Sequence, residues 1–228
     1  MTRPHRPLVY AHRGASADHA ENTLAAFNGA REQGSDWVEL DVHLAADGAL
    51  VICHDGHYSD GRAVWSTPSG DRPETVPLLD EALDACAGMG VNIEIKVSRP
   101  DTEVAAVVAA AVIARRDAGI DQPICISSFD EATLAQVRDA EPSIDTAQLL
   151  FDLSLDPTAV ERAAESGAIG INPWDPFVDR ALVERCAELG LVVTPWTVDD
   201  RDRIVQLASF GVDGIITNSP ALARSYLD

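Results

Sequence analysis

Along this chain the apolar positions switch repeatedly between two spacings. Short runs with strand-like alternation or continuous apolar character fall at 8–11, 37–44, 91–97, 124–127, 146–151, 169–172, 191–198 and 213–217. Between them lie stretches of helical spacing. In 21–34, Leu24, Phe27 and Ala30 share one face and Gly34 is a stop signal. Further helices are predicted at 101–118, at 130–140 with Asp130 as its cap, at 156–167 opened by Asp156-Pro157, at 179–190 and at 200–211. A turn at Asp47-Gly48 joins 37–44 to a short run at 50–53, which reads as a hairpin.

With the hairpin arm set aside, the pattern predicts eight βα units. Strands alternating with helices imply a parallel sheet, and eight of them suggest closure into an α/β (β/α)8 TIM barrel. A length of 228 residues suits one such domain, spanning 1–228. The exception is 54–78, rich in Gly, Pro, Asp and Ser and without clear period. A loop of that length in a compact domain is usually functional or disordered. It is expected to be a short substrate-facing lid inserted after the second strand.

Composition narrows the function classes. Hydrophobic residues make up 46% and charged residues 24%, so a packed core is expected. The formal net charge of −20 argues against nucleic acid and anionic membrane surfaces as partners. Apolar runs such as 104–114 are too short for stable membrane insertion. The start is basic but has no long apolar segment before Ala11, and Cys53, Cys86, Cys125 and Cys186 form no CxxC pair. Both features predict a cytoplasmic protein with reduced thiols. Any anionic substrate would need local positive charge in its site. The sequence carries no signal for an oligomeric state.

Residues two apart in a strand share a face, so Glu39 and Asp41 point the same way, as do Glu94 and Lys96. Each pair alone could be an ion pair or a cap. On neighbouring strands they predict an inward cluster, and three carboxylates suit a hard cation, Mg²⁺ or Ca²⁺. His12 and Arg13 follow the first strand, and His54 and Asp55 follow the hairpin. An unperturbed histidine titrates at about 6.5, so two histidines can serve as acid and base near neutral pH, and Arg13 offers a planar fork for phosphate. His5, His19, His43 and His57 lack such company; His43 shares the face of Glu39 and Asp41 but is expected at the rim. Of the tryptophans at strand ends, Trp196 is the better pocket candidate, while Trp174 could equally be packing. Cys53 should point away from His54, which leaves water or a substrate hydroxyl as nucleophile.

The ordered set of motifs resembles the glycerophosphodiester phosphodiesterase family over nearly the whole chain. Ala11-His12-Arg13-Gly14 with Glu21-Asn22-Thr23 looks like its opening motif, Glu39-Leu40-Asp41-Val42 like its ExD strand, and His54-Asp55 like its HD motif. The segment 76–83 and Ile93-Glu94-Ile95-Lys96 resemble its ExK region. Ser128-Phe129, Trp196-Thr197-Val198 and 211–217 match later strand ends. The resemblance implies a divalent metal on Glu39, Asp41 and Glu94, and His12 and His54 as the acid/base pair. It implies Arg13 and Lys96 on the phosphate, with Trp196 and Phe129 beside the substrate. The implied reaction hydrolyses a small-molecule glycerophosphodiester to sn-glycerol 3-phosphate and an alcohol. The chain departs from the family pattern at Ala20, where proline is usual, at Asn218, where aspartate is usual, and in a shortened 54–76 segment. A lysophospholipid diesterase and a non-enzymatic phosphate- or polyol-binding barrel are the rival readings.

Overall fold

The computed structural model describes residues 6–97 and 103–228. Its strands are β1 (Leu8–His12), β2 (Trp37–Leu44), β3 (Leu50–Ile52), β4 (Gly90–Ile95), β5 (Ile124–Ser128), β6 (Asp145–Leu150), β7 (Gly170–Pro173), β8 (Val192–Val193) and β9 (Gly214–Thr217). Its α-helices are α1 (Leu24–Glu32), α2 (Leu79–Ala85), α3 (Val104–Asp117), α4 (Glu131–Ala140), α5 (Ala159–Glu165), α6 (Arg180–Leu189), α7 (Arg201–Phe210) and α8 (Pro220–Leu227). Parallel ladders run in the order β8-β7-β6-β5-β4-β2-β1-β9, and β3 pairs antiparallel with β2. The seam between β8 and β9 is closed by backbone bonds from Asp213 N–H to Val193 O (3.0 Å), Ile216 N–H to Pro195 O (2.9 Å) and Val198 N–H to Ile216 O (2.9 Å). The result is a (β/α)8 barrel.

Several boundaries differ from the pattern-based expectation for identifiable reasons. The strand expected at 191–198 has a regular ladder only at Val192–Val193, because Pro195 has no N–H to give. Helix α1 starts at Leu24 rather than at 21: Thr23 caps it through a bond from Ala26 N–H, and Asn22, at φ +55°, lies outside the helix. Asp130, Asp179 and Asp200 cap α4, α6 and α7 in the same way. Helices α2 and α8 complete the set; the apolar pattern did not single them out because each is short and opens beside a proline. Residues 101–102 of the helix expected at 101–118, and His5 with the rest of 1–5, lie outside the described residues.

Strand alternation divides the molecule into an outer and an inner core. Val38, Leu40 and Val42 of β2 and Val91, Ile93 and Ile95 of β4 are buried outward with Phe27, Leu83 and Val108 of the helices. A second cluster, with Val9, Ile171, Ile204, Leu207 and Ile215, serves the other half of the ring. Inward residues stack in layers set by register. Tyr10, Trp37 and Gly90 stand side by side at the amino end, followed by His12, Glu39 and Asn92, then Asp41, Glu94 and Ser127. Gly90 is required there: a Cβ would come within 2.3 Å of the Trp37 ring, which stacks on Tyr10 at 5.2 Å and fills that end. Polar layers follow above, at the carboxyl ends of the strands, where barrels of this kind carry their sites.

The 54–78 insertion, expected to be a short substrate-facing lid, contributes His54 to the pocket described below. It winds through two single 3-10 turns, Val64–Ser66 and Ser69–Asp71, and packs sideways on the hairpin. Tyr58 and Val64 bury against Ala45 and Val51 in a small separate cluster. Ser69 is tied to Asp47 through its N–H (3.0 Å) and hydroxyl (2.8 Å). Its apolar residues are therefore spent on anchoring the segment to β2 and β3.

Candidate active site

The inward layers put the predicted residues into one pocket. His12, Arg13, Glu39, His54, Glu94, Lys96, Phe129 and Trp196 line it, together with Asn92, Leu149 and Ile216. Asp41 lies behind this wall, fully buried. Glu39, Asp41 and Glu94 can each offer an oxygen such that the three lie within 4.8 Å of one another. Lys96 Nζ spans two of them, 2.9 Å from Asp41 Oδ1 and 2.5 Å from Glu94 Oε1. Arg13 Nε stands 3.3 Å from Asp41 Oδ2, and Asn22 Nδ2 donates to the same oxygen at 2.7 Å.

Local backbone geometry produces these contacts. Arg13 adopts φ +56°, in the left-handed region that few side chains favour. That conformation turns its N–H onto Glu39 Oε2 (3.0 Å) while its side chain returns to Asp41. Gly14 follows at φ +83°, where a Cβ would lie 2.6 Å from the backbone of Ala26, so only glycine lets α1 approach this turn. The fork of Arg13 is also engaged outside the pocket, with Nη1 donating to both carboxylate oxygens of Glu21 at 3.0 and 2.9 Å.

Three buried carboxylates face two cations among the described residues, and burial is the largest influence on their protonation. Burial, then repulsion from Asp41 and Glu94, raises the Glu39 pKa well above the ordinary carboxylate value. Burial pushes Glu94 up to about 7, although Lys96 opposes it. Asp41 goes the other way: burial raises it, but Lys96, Arg13 and Asn22 together hold it below the ordinary value. Fully ionised, the three carboxylates would carry one more negative charge than the two cations balance among the described residues. Hard oxygen donors with unmet charge are what a divalent cation such as Mg²⁺ or Ca²⁺ requires, so the donor set fits a metal.

The histidines occupy different surroundings. His12 is half-buried, its Nδ1 2.7 Å from Asn218 Oδ1 and its Nε2 4.0 Å from Glu39 Oε2. Burial holds its pKa below the usual histidine value despite the Asn218 bond. His54 sits at the open side, with Nδ1 2.8 Å from the Asp55 carboxylate. His43 is not at the rim as expected; it is buried, and its Nε2 lies 3.1 Å from the His54 carbonyl, supporting that loop. Cys53 lies outside the catalytic pocket and lines a neighbouring groove with Thr75 and Val76. Burial pushes its thiol up to about 12, so it is no nucleophile at neutral pH.

The far wall is aromatic. Phe129 meets Trp196 edge-on at 5.7 Å, and the Trp196 indole N–H donates to Asn172 O at 2.9 Å. Phe151 stacks on Trp174 at 4.5 Å and leans on Trp196 at 6.2 Å. Trp174 therefore supports the rim and does not line the pocket. Phe129 and Phe151 are 47% and 54% exposed, so this edge offers apolar surface to a ligand. Asn22, Asn92, Asn218 and Phe151 were not singled out as site residues from the sequence. Asn92 lines the pocket with neither amide atom hydrogen-bonded among the described residues; its place two residues before Glu94 on an inward face was the available signal.

Comparison with known proteins agrees with this geometry. Residues 12–67 and 60–222 match the Glycerophosphoryl diester phosphodiesterase family. A glycerophosphodiester phosphodiesterase of Caldanaerobacter subterraneus subsp. tengcongensis is 32% identical, covering 94% of this chain and 95% of its own. One from Bacillus subtilis is 27% identical over 97% of this chain and 87% of its own. Among solved structures, an Oleispira antarctica phosphodiesterase in complex with the product sn-glycerol-3-phosphate superposes with a TM-score of 0.87, at 29% identity and 97% coverage of both chains.

Proposed function

This chain belongs to the glycerophosphoryl diester phosphodiesterase family, and we propose that it is a metal-dependent enzyme releasing sn-glycerol 3-phosphate and an alcohol from glycerophosphodiesters by histidine acid/base catalysis. Its class, a phosphoric diester hydrolase, follows from the relatives; the metal and the histidine roles are our reading. The observation that carries it is the meeting of three carboxylates, two cations and two histidines in one pocket.

Glu39, Asp41 and Glu94 would hold Mg²⁺ or Ca²⁺, which when bound supplies charge neutralisation and polarisation of the phosphate. Arg13 and Lys96 add positive charge on the same side, needed in a chain of net charge −20. His12, whose burial favours the neutral ring, takes a proton from the attacking hydroxyl. His54, next to the Asp55 carboxylate at the open side, gives a proton to the leaving alcohol. The attacking group in this reading is the substrate's own glycerol 2-hydroxyl. It attacks phosphorus and the P–O bond to the alcohol breaks, giving a 2,3-cyclic phosphate of sn-glycerol that water then opens at the 2-position with the histidine roles exchanged. Covalent attachment of that hydroxyl replaces a bimolecular encounter, worth several kcal/mol and on the order of 7–11 at the limit.

Phe129 and Trp196 bound the pocket on the aromatic side, where the leaving alcohol would sit. The exposed Phe129 and Phe151 favour a second substrate reading, a lysophospholipid-type diester with an apolar tail along that edge. One barrel domain, residues 1–228, would carry the whole activity on a small-molecule substrate without nucleic acid. Four free cysteines suit action in the cytoplasm, and no helix among the described residues is long and apolar enough to cross a membrane. The test is release of sn-glycerol 3-phosphate from glycerophosphocholine, glycerophosphoethanolamine, glycerophosphoglycerol and a lysophospholipid, each in EDTA and with Mg²⁺ or Ca²⁺. No release from any diester with either ion would refute the reading.

A further inference from the structure

We propose that Asp199 is a positioning residue for the reaction: through Asn218 it determines which ring nitrogen of His12 carries the proton. The inference rests on the reading of His12 as a proton-transfer group and adds a residue to that machinery. Asp199 lies just before α7, and Asn218 just after β9, so the pair bridges the two strands of the barrel seam.

Asp199 holds Asn218 at both ends of its carboxylate. Oδ1 accepts the Asn218 backbone N–H at 2.8 Å and the Thr217 hydroxyl at 2.8 Å. Oδ2 lies 2.6 Å from Asn218 Nδ2. An ionised carboxylate only accepts hydrogen bonds, so the Asn218 amide must turn its NH₂ towards Asp199. Its carbonyl oxygen is then forced towards His12, where it stands 2.7 Å from Nδ1. An amide oxygen also only accepts, so the hydrogen in that bond belongs to His12 Nδ1. In the neutral ring Nε2 is consequently bare, and Nε2 is the nitrogen that faces the pocket, 4.0 Å from Glu39 Oε2. The reverse tautomer would present an N–H to the pocket and could not take a proton there. Asn218 alone cannot make this choice: the Ser16 hydroxyl, 2.9 Å from Asn218 Oδ1, can donate or accept, so a rotated amide could still offer its NH₂ to His12. The acceptor-only carboxylate at 199 removes that freedom.

The experiment uses the full chain and three variants. In Asp199→Asn the new NH₂ takes the place of Oδ2 and faces the Asn218 side chain, which then accepts there and turns its own NH₂ towards His12. The new amide keeps a carbonyl for the Thr217 and Asn218 donors, so folding should be retained. We expect kcat to fall by about 10- to 10⁴-fold, within the range a wrong tautomer produces, with KM little changed. In Asp199→Asn/Asn218→Asp the charge is exchanged across the pair: the carboxylate at 218 accepts from His12 and from the amide at 199. This double variant should recover most of the lost kcat. Nitrogen-15 NMR of histidine-labelled protein reads the tautomer without turnover. A protonated Nδ1 on His12 is expected in the parent and the double variant and not in the single variant. His12→Ala is the reference, assigning the signal and testing the underlying reading. If His12→Ala kept the parental kcat, that underlying reading would fail. If His12→Ala lost activity while Asp199→Asn kept parental kcat and tautomer, Asp199 would be merely structural. A double variant no more active than the single, with Nε2 protonated, would also overturn the proposal, and it decides the matter alone if the single variant does not fold.

Discussion

Glu94→Gln should separate the electrostatic strain of the carboxylate cluster from its function. Glu94 has its pKa raised from the ordinary 4.5 to about 7, chiefly by burial. The folded chain therefore holds that proton more tightly than the unfolded chain. Between about pH 4.5 and 7 the unfolded state carries fewer protons, so metal-free stability falls as pH rises through this window. At 1.36 kcal/mol per pKa unit, the loss amounts to about 3 kcal/mol by pH 8. Glutamine resembles the protonated acid and does not ionise, so it escapes this loss. In EDTA, Glu94→Gln and the parent should be about equally stable near pH 4. By pH 8 the variant should be more stable by about 3 kcal/mol, or about 6–12 °C in Tm for a domain of this size. Added Mg²⁺ or Ca²⁺ should stabilise the parent much more than the variant, because a ligand that binds only the folded state contributes by mass action. Urea unfolding from pH 4 to 8.5, with and without metal, measures both effects. A stability gap that does not change with pH would show that the fold does not hold the Glu94 proton more tightly than the unfolded chain, and the electrostatic argument for a metal would lose its basis.

Other expectations concern turnover. EDTA should abolish activity and Mg²⁺ or Ca²⁺ restore it; full activity of chelated, dialysed protein would remove the metal. His12→Ala and His54→Ala should each lower kcat by roughly 10²–10⁴-fold, and a near-normal kcat for either would remove that histidine from the acid/base pair. A substrate analogue without the glycerol 2-hydroxyl should bind but resist cleavage; cleavage at the parental rate would favour direct attack by water. Phe129→Ala and Phe151→Ala should change relative kcat/KM among leaving groups. Replacing 57–76 with a short Gly-Ser linker should leave those ratios unchanged, and a shift there would show that this segment reaches the substrate.

The barrel was legible because alternation and spacing are local: Glu39 and Asp41 had to share a face once 37–44 formed a strand. Register then brought Glu94 beside Asp41, which followed from neighbouring strands in sequence order. What pattern could not supply were contacts between residues distant in sequence. Asn218 and His12 meet only because β9 pairs with β1, and nothing local marks Asp199 as a partner of either. His43 was misplaced because a histidine on an inward face can be buried only if a loop carbonyl covers it, and His54 provides that carbonyl from across the hairpin. The packing of the insertion on the hairpin was not legible because its Gly, Pro and Asp content is the same whether such a segment covers a pocket or folds back on a hairpin.

That folded-back segment has a consequence for how this scaffold can change. It leaves and re-enters the hairpin at adjacent points: Ile52 N–H donates to Pro77 O at 2.9 Å, and Val51 bridges to Leu78. With its ends already brought together, lengthening it adds only the slow logarithmic cost of a larger loop, about 0.6 kcal/mol per doubling. Its small cluster with Ala45 and Val51 lies apart from both barrel cores. The parallel ladder from β2 to β4 passes beneath it without interruption. Descendants of this gene could therefore acquire a longer segment here, even a small appended module, and present new surface beside His54 while the reaction centre stayed untouched. The hairpin is a docking port for evolutionary additions, and a natural place to graft a recognition element by design.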